Sequence, residues 1–430
     1  MSADVADRAP LFYAQTMGAA AAISQRSSRH GEKRAQLLGL AAQTINVFGA
    51  GAVNLNTIAG QIGLSRNALY HYVADRNALL FECYRHSCEA ALADLAMAQD
   101  AGRDAPTRLR RFIDLELAPD RPVRAILSEH DTLPEAERAE ILALRARQID
   151  GLAAIVQDGI TAGDFRAGDP ELIAQALVGM LSWAQLSAAW LAHRDGPVTR
   201  RRTAAAMHDL LIRGLAAPGA TLPAFPTLHP RAFNAFDRQA ASDAKIDQLI
   251  AAASRLFNRR GIDGVSLDEI GASVGASKGV IYHYFADKAV LVERCLDRAF
   301  TLYDGYMDIV ASRPNTGLGQ AMMVHHLNTQ AQAGMVAPML LQPGYGSLSA
   351  PARERFVQRA RRLWQQSAAF VEAGIADGSC RPGDAMTAAE VAAGAFFWLP
   401  KWRDASDVAG SVAIADALAD LMAFGITARR

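Results

Sequence analysis

Two eight-residue stretches, LYHYVADR at 69–76 and IYHYFADK at 281–288, place the same groups in the same order: a phenol, an imidazole, a second phenol, an aspartate and a cation. Imidazoles such as His71 and His283 can contact a phosphate or a base edge. A cation at a helix start, where Arg76 and Lys288 are expected, attracts phosphate together with the backbone N–H groups there. Upstream stand residues suited to reading bases: Arg66 and Asn67 in the first stretch, Lys278 and Gly279 in the second. Arginine can hold guanine through two hydrogen bonds and asparagine can hold adenine; lysine can bind guanine, and glycine offers no side chain. Asn56, Thr57 and Ser65 flank the first set, Ser266 and Ser277 the second. Any one of these is equally an ordinary solvated residue. As a set at common spacing they point to phosphate clamping and base reading.

The elements that must position them come in duplicate. Aligning Tyr70 with Tyr282 also aligns Val53 with Val265, Leu55 with Leu267, Ile58 with Ile270, Gly63 with Gly275 and Asp75 with Asp287, without a gap. Further on, GITAGDFRAGD at 159–169 matches GIADGSCRPGD at 374–384 after a register slip of about three residues, as one short loop insertion makes. A whole domain pair is therefore repeated, rather than a short motif.

Each copy reads as helical throughout. Leu37, Leu40, Ala41, Thr44 and Phe48 share one helix face over 33–48, and Ile246, Leu249, Ile250, Ala253 and Phe257 form the counterpart. Gly49 or Gly261 ends that helix. Asn54 or Ser266 caps the next, Leu55–Ile62 or Leu267–Val274, with Glu269 completing a capping box. A glycine turn at Gly63 or Gly275 leads to a third helix, Arg66–Tyr72 or Lys278–Tyr284, which is the layout of a helix-turn-helix. Tyr72, Tyr284, Val73 and Phe285 are expected beneath it. Asp75 and Asp287 cap a fourth helix.

The expected organisation is a basic arm at 1–32, a first head at 33–85, a helical bundle at 86–215, a Pro-rich linker at 216–242, a second head at 243–298 and a second bundle at 299–430. Acidic and basic residues balance at 44 each, so DNA contact must come from a local patch. Cys83, Cys88, Cys295 and Cys380 form no CxxC pair, and the adjacent His325–His326 has no further ligand at zinc spacing, so no metal is expected. The sequence carries no GxSxG, HExxH or Gly-rich phosphate loop, which argues against an enzyme. No apolar run approaches the length of a membrane span, and no signal-peptide layout opens the chain, so a cytoplasmic location without membrane contact is expected.

IGASVGASKGVIYHYFADKAVLV at 270–292 resembles the N-terminal signature of the TetR/AcrR transcriptional regulators almost position by position. IAGQIGLSRNALYHYVADRNALL at 58–80 fits with three departures: Asn67, Val73 and Arg76. SEHDTLPEAERAEI at 128–141 and WLAHRDGPVTRRRTAAAMHDLLIRGL at 190–215 look similar to members that respond to acyl-CoA thioesters. The resemblance implies an all-α fold of two tandem units, each a three-helix reading head followed by a regulatory bundle that carries a ligand pocket. It also implies that Tyr70 and Tyr282 bond a phosphate while their rings seat the recognition helix.

Family members read palindromes as homodimers. With two unequal heads on one chain, the expectation is a single-chain pseudo-dimer that represses from an imperfect or asymmetric double-stranded DNA operator, with further oligomerisation left open. The rival is that only the second head reads DNA and the first unit supports dimerisation or another interaction. The effector implied is an acyl-CoA or other lipophilic metabolite. Aromatic and Met-rich bundle positions are the pocket candidates: Trp183 and Trp190 in one copy, Met322, Met323, His325, Trp364 and Trp398 in the other. Each is equally a core residue.

Overall fold

The computed structural model describes residues 31–102, 104–191, 197–229, 238–344 and 348–428. The expected N-terminal arm therefore lies almost wholly outside the described residues. The first unit runs through α1 (31–48), α2 (Leu55–Gln61), α3 (Arg66–Leu69), α4 (Arg76–Gln99), α5 (Ala105–Glu116), α6 (Glu135–Ala162), α7 (Pro170–Leu191) and α8 (Pro197–Arg213). The second repeats it as α9 (Arg238–Arg260), α10 (Leu267–Ser273), α11 (Lys278–Tyr284), α12 (Lys288–Ala311), α13 (Gly317–Ala333), α14 (Ala350–Asp377), α15 (Ala385–Phe397) and α17 (Val408–Phe424), with a short extra turn, α16 (Leu399–Trp402).

The helix starts follow the expected chemistry. The Asn54 side chain accepts the Thr57 N–H, and Ser266 and Glu269 form a reciprocal capping box. Asp75 and Asp287 cap α4 and α12 by accepting the N–H groups of Ala78 and Val290. Such caps are each worth about 1 kcal/mol. Gly63 and Gly275 take φ values of 66° and 68°, which a side chain would resist. Each head closes over its own core: Leu37, Ile45, Ile58, Leu69 and Leu79 in the first; Phe257, Ile270, Ile281, Phe285 and Leu291 in the second. Phe48, expected on the buried face, is 45% exposed. Ile45, nearly one turn earlier, takes the position that Phe257 fills in the other copy.

The two units meet across a pseudo-two-fold seam. α7 crosses α15 where Gly179 faces Gly394: a Cβ on Gly179 would stand 2.5 Å from the Gly394 carbonyl oxygen, and one on Gly394 would stand 2.5 Å from Met180 Cα. The surrounding contacts are reciprocal. Phe165 bridges Thr427 as Cys380 bridges Ala216. Arg166 donates from Nε to the Gly425 carbonyl at 2.6 Å, and Arg381 donates to the Gly214 carbonyl at 3.1 Å. Arg166 also pairs with Asp420, and Arg381 with Asp209. An interface in which each half offers the other the same patch is that of a symmetric dimer, made here within one chain.

The described part of the expected Pro-rich linker packs against the second unit. Ala217 donates to the Ser379 carbonyl at 2.9 Å, Phe225 stacks on His326 at 4.5 Å, and Gln330 bonds both the Pro226 carbonyl and the Leu228 N–H. Residues 216–229 thus form a strap over α13. Aromatic and amide groups spaced along the Pro-rich run find buried partners there.

Candidate nucleic-acid interface and effector cavity

α2 with α3, and α10 with α11, present the expected reading faces. Asn56, Thr57, Ser65, Asn67, Tyr70 and His71 are exposed in the first head; Ser266, Ser277, Lys278, Gly279, Tyr282 and His283 are exposed in the second. The Arg66 side chain lies outside the described residues. Two serines are already committed to capping: Ser65 accepts the Ala68 N–H at 3.2 Å, and Ser266 serves its capping box. Tyr70 and Tyr282 are 48% and 44% exposed, so their rings do not seat the recognition helix. Leu69 and Ile281, buried one residue earlier, do that, while the phenols remain free to meet a phosphate. Tyr72 and Tyr284 are half-buried and Val73 and Phe285 are buried, as the spacing predicts. Lys278 Nζ bonds Asp268 Oδ2 at 2.9 Å and lies 5.5 Å from the Tyr282 ring centre.

The cations at the fourth-helix starts depart from expectation. Arg76 turns inward and donates from Nε and Nη2 to the Ala50 carbonyl at 3.2 and 2.5 Å. Lys288 is half-buried; burial pulls its pKa below the usual lysine range, opposed by the charges of Asp263, Glu129 and Glu269. Arg76 therefore holds the loop after the first helix rather than standing ready for phosphate, while Lys288 sits half-buried near the charge of Asp263 in the matching loop.

Between the heads sits a group that the sequence reading missed. Glu129, fully buried in the loop before α6, accepts the Ala50 N–H on Oε2 and the Asp263 N–H on Oε1, so one carboxylate holds the matching loop of each head. Asp263 Oδ2 in turn accepts the Gly51 N–H at 2.6 Å. Lys401 donates to the carbonyls of Ser128 and Arg259, and Arg260 pairs with Asp131 at 3.0 Å. Burial, reinforced by the Asp263 charge, pushes the Glu129 carboxyl up to about 7, and burial pulls Lys401 down to about 7. An acid two residues beyond the apolar stretch Ala125–Leu127 was the available signal.

The second bundle encloses a cavity of about 120 Å³ lined by Trp183, Phe300, Met322, His325, Trp364 and Phe396 among others. Four of the pocket candidates are thus brought together, and Trp183 reaches in from the first unit. Trp398 is not among the lining residues and is fully buried at the seam; Met323 is core as well. The Trp190 side chain lies outside the described residues. His325 is held neutral, its pKa pushed down to about 3 by burial, and its Nε2 bonds the Ala392 carbonyl at 3.2 Å. His326 bonds Asp416 at 2.9 Å. The matching space in the first bundle is closed down to about 30 Å³ and lined by Glu116, Arg124, Arg145 and Gln148. Arg124 pairs there with Glu116 at 2.7 Å and with Asp94.

Comparison with known proteins finds similar chains. A model described as the tetracyclin repressor-like C-terminal domain matches twice, at 107–215 and 320–426. A second model, bacterial regulatory proteins of the tetR family, matches 249–295. The HTH-type transcriptional repressor KstR2 of Mycolicibacterium smegmatis is 28% identical over 148 residues, 32% of this chain and 67% of the relative. KstR2 of Rhodococcus jostii is 27% identical over 151 residues, 34% of this chain and 72% of the relative. The solved structure of the TetR family regulator PfmR from Thermus thermophilus is 27% identical and covers 41% of this chain and 96% of its own, with a TM-score of 0.34. With its C-terminal domain present in two copies and a regulatory head matched before the second, this chain belongs to the TetR family of bacterial regulatory proteins.

Proposed function

We propose that this chain is a ligand-responsive transcriptional repressor whose two operator-reading heads are carried by one polypeptide, acting on an imperfect or asymmetric operator. The reciprocal seam between α7 and α15 supports this reading above all. It supplies within one chain the two-fold frame that a homodimer would need a second copy to make, while the reading faces it carries are unequal. Asn56, Thr57, Asn67 and the Arg66 position stand in one head; Asp268, Glu269, Gly279 and Lys278 stand at the matching places in the other. Two unequal faces on a two-fold frame call for two unequal half-sites. The curated relatives, both named as repressors, support repression as the output.

The effector would bind in the second bundle, with the first serving as scaffold, because the first bundle's matching space is filled by ion pairs. The second-bundle cavity is lined mainly by apolar and aromatic side chains, with Glu390 and His325 as its ionisable groups, so it suits a lipophilic group. A neighbouring groove shares Leu215 and Val371 with the cavity and is rimmed by two ion pairs, Arg202 with Asp384 and Arg381 with Asp209. An acyl-CoA would place its acyl part inside and its polar part along that groove. Binding would loosen the grip on DNA if the ligand favours a different setting of α7 against α15, a shift that Trp183 is placed to sense.

A second reading, that only the second head reads DNA, is favoured by the family match at 249–295. Footprinting with Asn67→Ala and Lys278→Ala separates the two. Loss of protection over a different half-site for each variant supports two reading heads; an unchanged footprint with Asn67→Ala and a lost one with Lys278→Ala supports the rival.

A further inference from the structure

The two reading faces differ most at one pair of positions. In the first head, the residue there is Asn56 on α2. In the second, the matching residue on α10 is Asp268, whose carboxylate bonds the Lys278 ammonium at 2.9 Å on the exposed surface. Glu269, its neighbour, is spent on the capping box and on Arg260. Asp268 is different. It caps nothing, is about half exposed, and is paired with the one lysine or arginine on α11.

A carboxylate facing DNA is repelled by every phosphate it nears, so it weakens binding unless a specific donor meets it. In the major groove the donor suited to a carboxylate is the cytosine N4 amine, and the acceptors suited to an ammonium are guanine O6 and N7. These lie side by side on one C·G pair, as the Asp268 and Lys278 groups lie side by side here. We propose that Asp268 and Lys278 act as a joint acceptor–donor reader of a single C·G base pair in the second head's half-site, and that Asp268 is a specificity-determining residue of the operator contact. A T·A or G·C pair at that position would set an acceptor, thymine O4 or guanine O6, against the carboxylate, and an A·T pair would keep the facing donor but put the thymine methyl where guanine N7 would meet the ammonium. The first head, with Asn56 in place of Asp268, lacks this requirement, and that difference is one chemical source of operator asymmetry. The inference rests on the two-head reading above.

The test is selection from a randomised duplex pool by the full chain, followed by competition binding with the recovered duplexes. Wild type should recover a C·G pair fixed at one position of one half-site. Asp268→Asn, an exposed and near-isosteric change, should relax that position alone, with discrimination falling by roughly tenfold. The reciprocal Asn56→Asp should impose a C·G preference on the other half-site. If Asp268→Asn instead tightens binding to all duplexes equally and leaves the recovered sequence unchanged, the carboxylate only repels and the inference fails, while the two-head reading stands. If wild type recovers no preferred duplex, both fall.

Discussion

Glu129 Oε1 accepts the Asp263 backbone N–H at 3.1 Å while its other oxygen accepts that of Ala50, which makes one side chain of the first unit the joint between both heads. The matching place in the second unit, Pro343–Gly344, offers no such group. The Glu129 joint therefore lies where the pseudo-symmetry breaks.

Replacing that acid tests the joint directly. Glu129→Gln keeps the shape but offers one acceptor and one N–H donor to two N–H donors. A buried donor left unmet costs about 1–3 kcal/mol. Amide exchange at Ala50 or Asp263 should quicken, and affinity for a full operator should fall more than affinity for an isolated half-site.

The same residue gives a pH signature. Its carboxyl is raised to about 7 from an ordinary 4.5, so the folded state binds a proton that the unfolded state has released between those values. Its contribution to stability is full below 4.5 and is lost as pH rises through about 7. Lys401, lowered to about 7 from 10.5, works in the opposite sense above that range, its contribution being lost as pH falls through 7. The groups facing the acid, Asp263, Lys401, Tyr84 and Lys288, stay in place in Glu129→Gln. Denaturant titrations from pH 4.5 to 7 should therefore show wild type losing stability relative to the variant as pH rises. Parallel curves would contradict the assignment.

The seam can be wedged. Gly179→Ala would drive a Cβ to within 2.5 Å of the Gly394 carbonyl. Forcing that backbone contact apart should cost about 1–3 kcal/mol. Melting should shift down, and affinity for the operator should fall because the heads are set by this crossing.

Much of this was legible in the chain itself. Caps such as Asp287 and Ser266 and the turn glycines Gly63 and Gly275 act within a few residues, so spacing alone places them. Long-range partners are another matter. Nothing local to Arg76 announces that its guanidinium will turn to Ala50, or that Glu129 will meet loops far away on both sides of it in sequence. Phe48 and Ile45 both fit the apolar pattern of α1, and packing against the rest of the head decides between them. Trp183 and Trp398 occupy equivalent positions, yet one lines the cavity and the other is fully buried at the seam, because the partner helices differ.

Sequence preference and salt dependence separate the cations that hold the fold from those that meet DNA. Lys278→Ala should cost about 1–3 kcal/mol of operator affinity and relax the preferred sequence at one base pair, the mark of a lost base contact. Arg76→Ala should lower the melting temperature and leave the slope of log K against log salt unchanged, since its charge is spent on the Ala50 carbonyl.

The most direct measurement is the mass of the protein–operator complex by light scattering. A chain of 46.0 kDa that supplies both heads should add to the duplex once, at every concentration that saturates it. Addition of two chains to one duplex, over a site that is a perfect palindrome, would contradict the single-chain account.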